Sequence, residues 1–135
     1  MEEKYIELAL KEAEKAYNSG EVPVGAVIIK NNKIIAKAHN IVEKKKNSTM
    51  HAEIIAIKKA SKKIKNWRLN NCDMYVTLEP CDMCAAAISL SRINKVYFLV
   101  KKDKNININK NKFIYLNNYE KKSLNLIQIF FKNRR

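Results

Sequence analysis

Two short segments of this chain hold residue types that do chemistry: His51-Ala52-Glu53 and Pro80-Cys81-Asp82-Met83-Cys84. Cys81 and Cys84 stand three apart, so at a helix start both sulfurs can converge on one ion. The free amides of a first helical turn favour the thiolate, which is the form that binds metal. His51 offers a nitrogen donor from a second helix start. One His and two Cys suit zinc, and three protein ligands leave its fourth tetrahedral position open, as in catalytic rather than structural sites. A lone Cys-x-x-Cys would equally suit structural zinc or a redox pair; the upstream His-x-Glu is what points to a reaction. Glu53 lies two residues from His51, near enough to face the open position without joining the ligand set. Its plainer reading is a first-turn acid favoured by the helix dipole. Zinc lowers the pKa of a bound water toward ~7, and a carboxylate can then take the proton and pass it onward. Such a pair can add hydroxide to an aromatic carbon bearing an amine and protonate the departing nitrogen. That reaction is hydrolytic deamination.

The elements that must carry these residues are legible in the hydrophobic pattern. Over residues 2–19, Ile6, Ala9, Leu10, Ala13, Ala16 and Tyr17 recur at three- and four-residue steps, an amphipathic helix with Gly20 as its stop. Residues 24–30 and 33–38 read as two strands joined at Asn31-Asn32, and Asn40 follows the second. A polar loop over 43–48 leads to Thr49, placed to cap a helix over 50–64. Residues 74–77 form a strand, and Pro80 sits where it can open a helix containing Ala85-Ala86-Ala87-Ile88. A strand over 95–100 follows. The Lys/Asn-rich stretch 101–112 reads as an exposed loop, 113–116 as an edge strand, and 119–131 as a terminal helix. Helices alternating with strands predict an α/β fold, a sheet covered by helices, in one domain over residues 1–135.

Composition bounds the rest. A chain of 135 residues with 47% hydrophobic side chains can bury a core without disulfides. Three cysteines are an odd count that fits reduced thiols or metal ligands, with Cys72 outside the motif as a buried thiol. No stretch approaches a membrane span, and the N-terminus lacks a secretory pattern, so the expected location is cytoplasmic. The 27 basic residues against 13 acidic ones give +14, which suits a polyanionic partner. Lysine, asparagine and isoleucine are also what AT-rich codons encode, so codon drift competes with function as the source of charge. The distribution favours function: residues 101–135 carry 10 Lys/Arg and 2 Asp/Glu, against 17 and 11 in residues 1–100. Phe130 and Phe131 suit base stacking, a dimer contact or core packing. His39 has no partner pattern and reads as structural or solvent-facing.

Several segments together resemble one family. Residues 21–27 (Glu-Val-Pro-Val-Gly-Ala-Val), His51-Ala52-Glu53-Ile54, residues 75–81 (Tyr-Val-Thr-Leu-Glu-Pro-Cys) and Ser91-Arg92-Ile93 resemble bacterial tRNA-specific adenosine deaminases, within the zinc-dependent cytidine deaminase-like superfamily. The similarity runs over about residues 5–98 and resumes at 130–135, which resemble that family's basic C-terminal helix. The resemblance implies a three-layer α-β-α sandwich around a mixed five-stranded sheet. It implies one zinc per subunit on His51, Cys81 and Cys84, with Glu53 as proton shuttle. Asn40 and the backbone N–H of Ala52 would bind the flipped-out nucleoside. The substrate would be the wobble adenosine of a tRNA anticodon stem-loop, converted to inosine, and the assembly a homodimer. Lys101, Lys102, Lys104, Lys132, Arg134 and Arg135 are the candidate RNA contacts in the basic segment 101–135. The chain departs from the family over 101–116, where a glycine-bearing segment is replaced by Lys101-Lys102-Asp103-Lys104-Asn105-Ile106-Asn107. Two alternatives stay open: a deaminase of free guanine, cytosine or nucleosides, and a catalytically inactive, zinc-stabilised RNA-binding subunit.

Overall fold

The computed structural model describes residues 2–102 and 111–133. Helix α1 (Glu2–Asn18) stops at Gly20, whose φ of +79° lies where only glycine escapes a Cβ penalty. Gly20 N donates to Tyr17 O and Glu21 N to Ala16 O, the paired bonds of a Schellman stop. Strands β1 (Gly25–Lys30) and β2 (Lys33–His39) pair antiparallel. Both tip residues, Asn31 and Asn32, have positive φ, as a type I′ turn requires and asparagine tolerates.

A one-turn helix α2 (Val42–Lys45) replaces the start of the loop expected from residue 43. Its cause is a distant side chain: Glu21 Oε1 accepts from Glu43 N and Oε2 from Lys44 N. Next come α3 (Ala52–Ile64), β3 (Cys72–Val76), α4 (Asp82–Leu90), β4 (Lys95–Phe98), β5 (Phe113–Tyr115) and α5 (Glu120–Asn133). A 3₁₀ turn (Asn117–Tyr119) precedes α5.

Several boundaries differ from the sequence reading, β3 among them, which runs Cys72–Val76 rather than over 74–77. Thr49 does not cap α3; its amide and hydroxyl both turn to Asn47 Oδ1, and His51 takes the N-cap position. Pro80 stands outside α4, whose N-cap is Cys81. β4 ends at Phe98 rather than at residue 100, because Val100 O is taken by Glu79 N from the loop after β3.

The sheet runs β2-β1-β3-β4-β5. Its first two pairings are antiparallel and its last two parallel, so the sheet is mixed and five-stranded. Strand alternation sends side chains to two cores. Ala26, Ile28, Met74, Val76, Val96 and Phe98 pack with Ile55 and Ala56 of α3 and Ile88 of α4. Val27, Ile29 and Tyr75 pack with Tyr5, Ile6, Ala9 and Leu10 of α1. Since α5 lies beside α1, the layers are α-β-α. Gly25 permits the closest approach between layers: a Cβ there would collide with Ala9 O and lie 2.6 Å from Ala13 N. Among the described residues no helix is long and apolar enough to cross a membrane.

Candidate active site

One end of the sheet gathers Asn40, His51, Ala52, Glu53, Cys81 and Cys84. The antiparallel β1 starts where β3 ends, and Gly25 N donates to Thr77 Oγ1 while Thr77 N donates to Gly25 O. Asn40 follows β2 there, and the first turns of α3 and α4 point to the same place. Helix N-termini at the carboxyl ends of parallel strands are where open α/β sheets bind ligands.

His51, Cys81 and Cys84 come together with all donor atoms within 4.8 Å of one another. His51 Nδ1 lies 3.7 Å from Cys81 Sγ and 3.5 Å from Cys84 Sγ. Zn–N and Zn–S bonds of ordinary length at a tetrahedral angle put N and S about 3.6 Å apart, so this donor set fits zinc. The electrostatics agree with that donor set. Burial, then the Lys102 charge, lowers the pKa of His51, which keeps the imidazole in its neutral, ligating form. The Cys84 thiol departs from the sequence expectation, which credited helix amides with favouring thiolate. Burial, then the Glu53 and Cys81 charges, push its pKa far up. A thiolate at Cys84 therefore needs a cation beside it.

Glu53 is buried on the first turn of α3, and burial raises its pKa against the pull of its own backbone amide, Lys102 and Cys84. A carboxyl so placed exchanges protons more readily near neutrality than a surface acid does. Asn40 is also buried, and its Oδ1 accepts from Ala52 N at 2.7 Å. That bond caps α3 from outside the helix, in the place expected of Thr49. It also fixes the carboxamide: with Oδ1 engaged, the Nδ2 donors remain for a ligand.

These residues open onto a cavity of about 290 Å³ whose lining includes Asn40, His51, Glu53, Cys81, Lys102 and Phe130. Of the residues expected to contact RNA, Lys102 reaches the cavity, while Lys101 and Lys132 are exposed away from it. Lys104, Arg134 and Arg135 lie outside the described residues. His39 proves to be paired, its Nδ1 2.8 Å from Glu12 Oε1, and Cys72 is buried away from the donor cluster.

Two lining residues went unassigned in the sequence, Glu21 and Glu79, both buried. Glu21 holds α2 through two amides. Glu79 Oε1 accepts from Lys102 N at 2.8 Å while Glu79 N donates to Val100 O, fastening the ligand loop to the segment after β4. Besides their place in the two family-like segments, their sequence signal is an acid inside an otherwise apolar run, at Glu21-Val22-Pro23-Val24 and Leu78-Glu79-Pro80. Phe130 forms a wall of the cavity, with its ring edge-on to Tyr17 and Phe131.

The cytidine and deoxycytidylate deaminase zinc-binding region matches residues 1–100. The chain belongs to this family of zinc-binding deaminases. Within that deaminase family it is 42% identical over 142 residues to a tRNA-specific adenosine deaminase of Buchnera aphidicola subsp. Schizaphis graminum, covering 97% of this chain and 94% of that protein. It is 53% identical over 96 residues to the tRNA-specific adenosine deaminase of Aquifex aeolicus, covering 71% of this chain. That match spans 64% of the Aquifex deaminase, a little under two thirds of its length. A solved structure from work on A-to-I editing by tRNA:A34 deaminases at the wobble position superposes with a TM-score of 0.74 at 42% identity. The superposition covers 75% of this chain and 78% of that one.

Proposed function

We propose that this chain is a zinc-dependent adenosine deaminase acting on the wobble position of a tRNA anticodon stem-loop, leaving inosine in the RNA and releasing ammonia. The observation that carries the reading is a buried carboxyl, Glu53, beside a three-donor metal site on a cavity that Asn40 also lines. The whole-length similarity to a tRNA-specific adenosine deaminase supports the choice of substrate.

His51, Cys81 and Cys84 would hold the zinc, which would supply Lewis-acid activation of a water. Glu53 removes a proton from the attacking water, delivers it to the purine ring nitrogen beside C6, and later protonates the amine that leaves. Asn40 donates through Nδ2 to the nucleoside and, through Ala52 N, keeps the first turn of α3 in register with it. Phe130 and Leu78 provide apolar walls, which exclude bulk water from the carboxyl. The Lys102 ammonium at the cavity suits the phosphate of an entering nucleotide. Lys101, Lys104, Lys132, Arg134 and Arg135 extend that cationic character along the basic segment 101–135 of a single deaminase domain. The molecule works as a cytoplasmic homodimer; the exposed Met83 and Leu90 on α4 support an apolar contact between copies.

The test is incubation of zinc-loaded protein with folded tRNA, its isolated anticodon stem-loop, free guanine and free cytosine. Inosine at the wobble position, read by mass spectrometry of the digested RNA, is the expected product. Turnover of a free base without inosine in RNA would reassign the substrate. Tight tRNA binding with no deamination at all would leave an RNA-binding subunit.

A further inference from the structure

The ends of α3 and α4 farthest from the cavity carry a second feature, which the deamination chemistry does not use. Trp67, the chain's single tryptophan, follows α3 and is 52% exposed. Two guanidinium groups flank its indole, with the Cζ of Arg68 4.3 Å and that of Arg92 5.5 Å from the ring centroid. Arg92 comes from the turn after α4 and donates through Nη1 to Leu90 O. Its φ of +67° places an arginine where a helix stop favours glycine. Lys112, just before β5, neighbours Arg92: burial and then the Arg92 charge lower its pKa. Among the described residues, none of Arg68, Arg92 and Lys112 is paired with a carboxylate. Two guanidinium groups held against an exposed aromatic ring make a surface that a polyanion with flat bases relieves.

We propose that Trp67, Arg68, Arg92 and Lys112 form a binding site for single-stranded RNA, separate from the catalytic cavity. A base stacks on the indole or on the guanidinium plane beside it, and the flanking phosphates take the cations. A second copy of this chain fits the surface poorly, since a two-fold contact would bring the same cations to both sides. His51 caps one end of the 13-residue α3 and Trp67 lies beyond the other, about 20 Å away along the helix. The base on Trp67 is therefore not the base in the cavity. RNA as the partner class rests on the reading of the chain as a tRNA deaminase, but the site's test does not use that reaction.

The full zinc-loaded chain is titrated with a short oligouridylate, which contains no adenosine, while tryptophan fluorescence reports Trp67 alone. Binding is followed in parallel by anisotropy of the labelled oligonucleotide. The expected result is saturable quenching with the same midpoint as the anisotropy, and no comparable quenching by inorganic polyphosphate, which has charge but no bases. Trp67→Ala should weaken oligouridylate binding roughly 5- to 100-fold, and Trp67→Phe should restore most of it. Arg92→Gln with Lys112→Gln should flatten the salt dependence by roughly 0.7 in log–log slope per cation removed. Oligouridylate bound with Trp67 unquenched, or bound equally well by Trp67→Ala, would overturn the site. So would a fluorescence change driven by protein concentration alone, which would assign the patch to self-association. Quenching without any inosine formation would leave this site standing and remove the deaminase reading; inosine without quenching would do the reverse.

Discussion

Glu53 sits buried beside two thiols and an imidazole, where a carboxyl earns its place only by moving a proton or balancing a cation. As proton carrier it should be dispensable for zinc but not for turnover. Glu53→Gln keeps size and hydrogen bonding, so zinc content by elemental analysis should stay at one per chain while inosine formation falls roughly 10²- to 10⁴-fold. A parallel loss of zinc would make it a structural support instead. The pattern His-x-Glu with Pro-Cys-x-x-Cys was legible because each piece is local, two or three residues long, and chemically distinctive. Asn40 was legible only through family resemblance. Its bond to Ala52 N crosses 12 positions, and nothing in its neighbours announces that it caps α3.

Contacts between α1 and the β1–β2 hairpin set the position of the cavity wall. Gly25 has no room for a methyl group against Ala9 and Ala13. Gly25→Ala should cost about 3 kcal/mol in urea unfolding, the upper part of the usual overpacking range, because backbone rather than a flexible side chain blocks the new Cβ. Glu12 ties the same elements together, bonded to Lys15 within α1 and to His39 at the end of β2. Burial by itself raises the Glu12 carboxyl, but the hydrogen bonds from His39 and Lys15 outweigh it and hold the group below its ordinary value of 4.5. A carboxyl lowered on folding contributes its stabilisation in full above the unfolded value and loses it as pH falls through the folded one. Urea midpoints should therefore fall on acidification below about pH 4.5, and Glu12→Gln should shallow that fall while lowering stability at neutral pH. The α1 helix and the Asn31–Asn32 hairpin were readable from periodicity and turn chemistry. Helix α2 was not, since its first amides depend on Glu21 from more than 20 residues upstream.

Across the whole molecule, a metal on His51, Cys81 and Cys84 would tie the first turns of α3 and α4 together beyond the core they already share. A ligand that binds only the folded state raises its stability by mass action. Treatment with a strong chelator should lower the thermal midpoint by several degrees, and added zinc should restore it in wild type but not in Cys84→Ala. The exposed α4 side chains make a second expectation at this scale. Leu90→Glu should shift the sedimentation of a homodimer to that of a monomer, with the circular dichroism spectrum unchanged. A dimer that survives this substitution would place the contact between copies elsewhere.

The sequence by itself determined the donor set, the carboxyl beside it, the amphipathic helices, the hairpin and the alternating fold class. All of these are written in spacings of two to seven residues, which local backbone geometry converts directly into shared faces. Tertiary structure alone decided that Asn40 caps α3, that Glu21 and Glu79 fasten two sides of the cavity, and that His39 meets Glu12. It also brought Arg92 to Trp67, beside Arg68. Those relations join residues tens of positions apart. Their proximity depends on which strands pair and which helix faces pack, and a local pattern cannot encode that choice because it follows from burying the whole core at once.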